Sequence, residues 1–184
     1  PIVRRDALEL FFDPGFRATV SVEDLVKQWV RHGVRAIHVS GWHVYPTYTY
    51  DYEKLIRLCH GNGILVYAWL EPPQVSQKFW MDHPAWREKN VRGDDARPSW
   101  RYPMAMSDEA CVRAMLAEYR TLLERHDFDG VNIAEVYCES GVGGPDEPVH
   151  FTPMHPTARE QMRRRIGFDP AELLTPGGRR YWKR

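Results

Sequence analysis

The sequence has no apolar run approaching the roughly 18 residues that a membrane-crossing helix needs, so no such helix is expected. It also lacks a charge excess, since 25 Lys and Arg stand against 25 Asp and Glu for a formal net charge of +0. Nucleic acids and anionic membrane surfaces are gripped by clustered cations that displace counterions, so neither is expected as a partner. The single basic run, Arg163 to Arg165, falls near the end of a predicted helix, where cations complement the helix dipole. Cysteine is scarce: Cys59, Cys111 and Cys138 are odd in number, widely spaced and form no C-x-x-C pair. This argues against a disulfide framework and against a cysteine-type metal site, and it favours free thiols, as in a cytoplasmic compartment. Neither H-x-H nor H-E-x-x-H occurs, so the common metal-binding spacings of histidine are missing. The chain starts at Pro1 with no leader pattern, which reads as a piece of something longer and leaves localisation open.

What is present is an alternation. Four times an apolar run of strand character is followed by a segment of helical periodicity, the pattern of a parallel β/α architecture. "ALELFFD" stops at Pro14-Gly15 and is followed by the cap-like "SVED", with Val22, Leu25, Val26, Trp29 and Val30 at helical spacing. "RAIHVSGW" precedes "TYDYEKLIRLCHGNG", whose Tyr52, Leu55, Ile56 and Cys59 recur every three or four residues before a glycine stop. "ILVYAWLE" is broken by Pro72-Pro73 and followed by a long connection that reads as loop, and then by the capped helix "SDEACVRAMLAEYRTLLERH". The fourth strand lies in "HDFDGVNIAEVYCES", an apolar run that carries Asn132 and ends in Glu135 and Glu139. Strands are predicted near residues 6–13, 35–42, 64–71 and 129–136, with helices in "HPTAREQMRRRIG" and "DPAELL" beyond them. Four such units make the N-terminal half of a (β/α)8 barrel, for which about 250 residues are typical. Residues 1–184 are thus expected to be a single α/β barrel domain, truncated after the fourth β/α unit.

Alternate residues of a barrel strand face the lumen and the surrounding helices, and the helix-facing set should be apolar. Sorted in this way, Glu9, Phe11 and Asp13 point inward from the first strand. His38, Ser40 and Trp42 do so from the second, Tyr67, Trp69 and Glu71 from the third, and Asn132 and Ala134 from the fourth. Acids therefore stand at the C-terminal strand ends, where barrel enzymes place their chemistry: Asp13, Glu71 and, just past the regular strand, Glu135. The plainer reading is that Asp13 and Glu71 cap the next helices. Strict alternation points Glu135 toward the helices, and it reaches the lumen only if the strand bends or ends at Ala134. Trp42, Tyr45, Tyr48 and Tyr50 follow the second strand, and Trp80, Trp86, Trp100 and Tyr102 lie in the third connection. Rings at a barrel mouth suit the C–H faces of sugars, although any one ring is more often packing than platform.

The set "HVSGWHVYP", "GILVYAWLEPP", "HPAWREKN", "MAMSD" and "DFDGVNIAEVY" resembles the bacterial glycosyl-hydrolase-like TIM barrels. These are carbohydrate-active proteins distantly similar to the α-amylase type and to the barrel of poly-N-acetylglucosamine processing enzymes. The resemblance covers roughly residues 6 to 175, the front half of such a barrel. It falls on Ala68, Trp69 and Glu71 in the third strand, on His83, Pro84 and Trp86 in the loop, and on Asp129, Gly130, Asn132 and Glu135 in the fourth strand. The departure is Ala134, where several relatives carry a lumen-facing Asp.

Glycosidic hydrolysis uses one carboxyl to protonate the leaving oxygen and another as nucleophile or to activate water. Glu71 and Glu135, at neighbouring strand ends, are the candidate pair for a poly- or oligosaccharide substrate, with a second carboxylate from later strands as the other possibility. Asp13, Trp42, His43, Tyr45, Trp69, Trp100, Asn132 and Glu139 are the candidate substrate-binding residues. No cofactor is expected. Two other readings stay open: a non-catalytic carbohydrate-binding barrel, consistent with Ala134, and a metal-dependent hydrolase built on His38, His43, Asp13 and Glu71. Four parallel strands leave two open edges, so the remaining strands of the parent chain or a second copy are expected as partners.

Overall fold

The computed structural model describes residues 8–14, 19–40, 51–96, 101–135 and 151–182. The chain divides into two compact units, Pro1–Glu71 with Ala117–Glu135, and Pro72–Leu116 with Val136–Arg184.

The first unit is built on a four-stranded sheet: β1 (Leu8–Phe12), β2 (Val34–Val39), β3 (Leu65–Leu70) and β4 (Gly130–Ile133). The strands lie side by side in sequence order, and every neighbouring pair is parallel. Regular pairing ends short of each predicted C-terminal bound, at Phe12, Val39, Leu70 and Ile133. Ser40 and Ala134 nevertheless continue the pattern, donating backbone bonds to Phe12 (3.0 Å) and Leu70 (2.8 Å).

Helices α1 (Val22–Arg31) and α2 (Tyr52–Gly61) follow β1 and β2. Both begin where the sequence predicts, because a side chain satisfies a backbone N–H that the first turn leaves unpaired. Ser21 Oγ accepts from Asp24 N at 3.1 Å, and Asp51 Oδ1 accepts from Lys54 N at 2.8 Å. Their apolar stripes, Leu25, Val26 and Trp29 on α1 and Leu55, Ile56 and Cys59 on α2, join Phe12, Ile37, Val39 and Val66 of the sheet in one buried core. The Phe12 and Trp29 rings meet edge to face at 5.1 Å. Gly33, the predicted stop of α1, has φ +75°, a conformation that a side chain would strain.

Asp129, the acid before β4, organises the start of that strand. Its Oδ2 accepts from Val66 N at 2.7 Å and from His60 Nε2 at 2.9 Å, while its own N–H donates to Val66 O at 2.8 Å. Helix α4 (Glu109–Arg125) begins after Asp108, whose Oδ1 accepts from Ala110 N at 2.9 Å and Cys111 N at 3.0 Å.

The second unit corrects one expectation. The connection after β3, which reads as loop, is folded. It contains α3 (Gln77–Asp82), a 3₁₀ turn at Pro84–Trp86 and three antiparallel bridges, Gln74 to Pro103, Arg87 to Met104 and Lys89 to Asp95. Its organiser is a buried carboxylate: Glu88 Oε1 accepts from Lys89 N (2.9 Å), Met154 N (3.0 Å) and His155 N (2.7 Å). Three backbone N–H groups on one buried carboxyl oxygen satisfy its hydrogen bonding and tie distant segments together. Helix α5 (Pro156–Ile166) follows, with Arg163, Arg164 and Arg165 in its last turn as predicted. Two rings expected at a barrel mouth are used for packing here. Trp86 stacks on His83 at 4.5 Å, and Trp80 carries the Arg87 guanidinium 3.7 Å above its ring.

Candidate functional site

The face of the sheet away from the core carries Glu9, Phe11, His38, Tyr67, Trp69 and Asn132 of the inward set that alternation predicts. Register arranges it in levels: Phe11 lies opposite His38, His38 opposite Tyr67, Tyr67 opposite Gly130, and Trp69 opposite Asn132. His38 stacks on Tyr67 at 5.2 Å with 18° between the rings and meets the edge of Trp69 at 6.2 Å. Phe11 packs edge to face on Trp69 at 4.9 Å and is 54% exposed.

Gly130 has a spatial reason to be glycine. A Cβ there would lie 2.9 Å from Tyr67 Cε1 and 3.0 Å from Cδ1, closer than carbon atoms tolerate. Its backbone is outside the left-handed region, so the close approach of the tyrosine, not conformation, sets the requirement.

Polar groups cross this face in a line. His38 Nε2 lies 3.0 Å from Glu9 Oε2, and Asn132 Nδ2 lies 3.3 Å from His38 Nδ1. A carboxylate oxygen only accepts and an amide nitrogen only donates, so the contacts are mutually consistent with a neutral imidazole that carries its proton on Nε2. Alternation places Glu9, His38 and Asn132 on one face, but only the strand register reveals that they touch.

Above this line, at the C-terminal end of β3, Glu71 is 7% exposed and accepts from Trp69 Nε1 at 2.5 Å. Residues 69 and 71 therefore share the inner face. The neighbouring strand end is irregular. Regular pairing of β4 stops at Ile133, Ala134 keeps its bond to Leu70, and Glu135 adopts φ +50°. Left-handed backbone at a residue other than glycine is uncommon, and here it interrupts strict alternation at Glu135, at the end of the strand that pairs with β3.

Asp13, Trp69, Glu71, Asn132 and Glu135 all belong to the first unit, on or just beyond C-terminal strand ends, with Asp13 half-buried and Glu135 exposed. Trp42, His43, Tyr45, Trp100 and Glu139 lie outside the described residues. Among the described residues no group of three or more His, Cys, Asp or Glu is arranged to hold a metal ion. Nor, among them, is any helix long and apolar enough to cross a membrane.

No protein-family model matches the sequence. No curated protein matches it either. Solved structures do. The α-L-fucosidase isoenzyme 2 from Paenibacillus thiaminolyticus superposes with a TM-score of 0.59 at 16% identity, over 91% of this chain and 27% of that one. A β-galactosidase from the psychrophilic Marinomonas ef1 gives 0.58 at 14% identity, over 88% and 26%. The exo β-N-acetylglucosaminidase from Vibrio harveyi gives 0.56 at 13% identity, over 91% and 32%. The chain thus spans about a third or less of the length of each of these three glycosidases. Identity this low speaks for fold alone: the chain has a parallel α/β fold matching part of the glycosidase barrels.

Proposed function

We propose that this chain is the front part of a carbohydrate-active barrel that cleaves glycosidic bonds of a poly- or oligosaccharide, with Glu71 and Glu135 as its carboxylate pair. The observation that carries the reading is Glu71 itself, a buried acid at a C-terminal strand end, bonded to Trp69 Nε1 at 2.5 Å, on the strand that pairs with the one ending toward the left-handed Glu135. In this reading the two carboxyls together are the acid and the nucleophile or base that glycosidic cleavage needs. Asp13, Trp69 and Asn132 supply polar and ring contacts around the sugar.

Barrel closure needs strands beside β1 and β4, from further chain or from a second copy. Val131 (40% exposed) and Ile133 (55% exposed) on the outer face of β4 are where an additional helix would pack. Turnover of p-nitrophenyl α-L-fucoside, α- and β-D-galactosides and N-acetyl-β-D-glucosaminide by the purified chain tests the reading. Glu71→Gln and Glu135→Gln should each lower kcat by about 10²–10⁴-fold, and unchanged kcat in both would end it. Ala134 favours a second reading, a barrel that binds sugar without cleaving it. That reading predicts saturable binding of the same glycosides without release of nitrophenol.

A further inference from the structure

The line of contacts from Glu9 through His38 to Asn132 has a direction. Glu9 fixes one end, because its carboxylate takes the Nε2 proton of His38 at 3.0 Å. That leaves Nδ1 as a lone-pair acceptor, which turns the Asn132 amide so that its NH₂ meets the ring at 3.3 Å. The amide is planar with its two ends opposed, so its carbonyl oxygen is the end turned away from His38. The ring cannot easily rotate to undo this, since it is stacked on Tyr67 at 5.2 Å and bounded by the edge of Trp69 at 6.2 Å. Among the described residues, the groups facing His38 are therefore Glu9 and Phe11 from β1, Tyr67 and Trp69 from β3 and Asn132 from β4, and Glu9 alone among them is charged.

We infer that Glu9 and His38 are positioning residues that hold Asn132 with its carbonyl oxygen presented to the ligand, making this position an acceptor for a hydroxyl of a neutral sugar ring. The inference rests on the reading of this face as a carbohydrate site. It adds a polarity to that site: a ligand group at Asn132 must donate a hydrogen bond. A hydroxyl meets the requirement, and a carboxylate or a sulfate ester does not. Protonation of His38 on both nitrogens would reverse the arrangement, because Nδ1–H then demands the amide oxygen and the NH₂ turns outward.

Two measurements test this, and they fail separately. The first needs no ligand. Long-range proton–nitrogen NMR spectra of the nitrogen-15-labelled chain, with His38 assigned by its loss in His38→Gln, should show Nε2 protonated and Nδ1 bare at neutral pH. Glu9→Ala should release the ring into a mixture of tautomers, and Glu9→Gln, which keeps an acceptor, should restore the single form. Asn132→Asp should move the Nδ1 signal into the protonated range. A proton on Nδ1 in the unaltered chain, or a tautomer indifferent to Glu9→Ala, would overturn the positioning.

The second uses the glycoside that the unaltered chain turns over best among the p-nitrophenyl panel. A lost neutral hydrogen bond is worth about 0.5–1.5 kcal/mol, so Glu9→Ala should raise KM about threefold to tenfold with kcat kept, and Glu9→Gln should rescue it. An unchanged KM in Glu9→Ala, with the tautomer visibly mixed, would overturn the presentation of Asn132 to the ligand. Absence of turnover across the whole panel would count against the glycosidase reading, while the spectra would still decide whether Glu9 and His38 hold the amide.

Discussion

Replacing Gly130 by Ala is the sharpest structural test of the inner face. The added methyl carbon would sit 2.9 Å from Tyr67 Cε1, well inside the roughly 3.5–4.0 Å of an ordinary carbon contact. Tyr67 must then move, and its stack with His38 at 5.2 Å moves with it. Overpacking of this kind costs about 1–3 kcal/mol. Against that stands the gain of about 0.5–1 kcal/mol from replacing a strand glycine by alanine. The net is a loss of about 1 kcal/mol, which at a slope of about 2 kcal/mol per molar urea lowers the unfolding midpoint by about 0.5 M. Urea titration followed by tryptophan fluorescence reads this directly. The same substitution in a Tyr67→Ala background meets no ring and should be neutral or slightly stabilising, so a double-mutant cycle should return a coupling of about 1 kcal/mol or more. An alanine at position 130 that leaves the single variant as stable as the parent, or a cycle without coupling, would show that the tyrosine does not lie across the glycine.

Three further outcomes follow from the geometry. Trp69→Phe keeps an aromatic side chain but removes the donor to Glu71, and should cost about 1–3 kcal/mol in the same urea assay, as expected when a buried acceptor loses its donor. His126 lies between Tyr52 at 5.6 Å and Phe128 at 5.9 Å; burial, aided by the Arg125 charge, holds its pKa below the ordinary histidine value. The neutral ring is thus the folded form. Its stabilising contribution is complete above the unfolded-state value of about 6.5 and is lost as pH falls through the lower folded-state value. The urea midpoint should therefore drop on mild acidification, and His126→Phe should flatten that slope. Finally, burial pushes the thiols of Cys59 and Cys111 up to about 12, with Asp129 and Asp108 respectively adding to it. Mass spectrometry after iodoacetamide at mildly alkaline pH should find both unmodified in the folded chain and both alkylated in urea.

Much of the first unit was legible because its signals are local. Ser21 announces a helix start by chemistry that acts within one turn, and the buried set Ile37, Val39, Val66, Ala68 and Leu70 follows from period-two alternation. Parallel order followed from the repeated strand–helix pattern. Contacts that depend on register were less accessible: alternation puts Glu9, His38 and Asn132 on one face, but nothing in their spacing sets them at bonding distance. The long connection hid its order for a related reason. Glu88 collects N–H groups from Met154 and His155, which lie more than sixty positions away in the chain, and isolated bridges leave no periodicity to read. The left-handed turn at Glu135 is carried by a residue that gives no hint of it, where glycine or asparagine would have.

The clamp made by Asp129 has a consequence for how the chain tolerates change. A slip of β4 by one residue would exchange Asn132 for Val131 or Ile133 on the inner face and dismantle everything above it. What prevents the slip is anchored at the foot of the strand, in the two-way bonding of Asp129 with Val66 and its bond to His60, all within the first unit. The stretch between β3 and α4 therefore need not measure out the distance that brings β4 into line. A change in the length of that stretch should leave the alignment of the four strands unchanged.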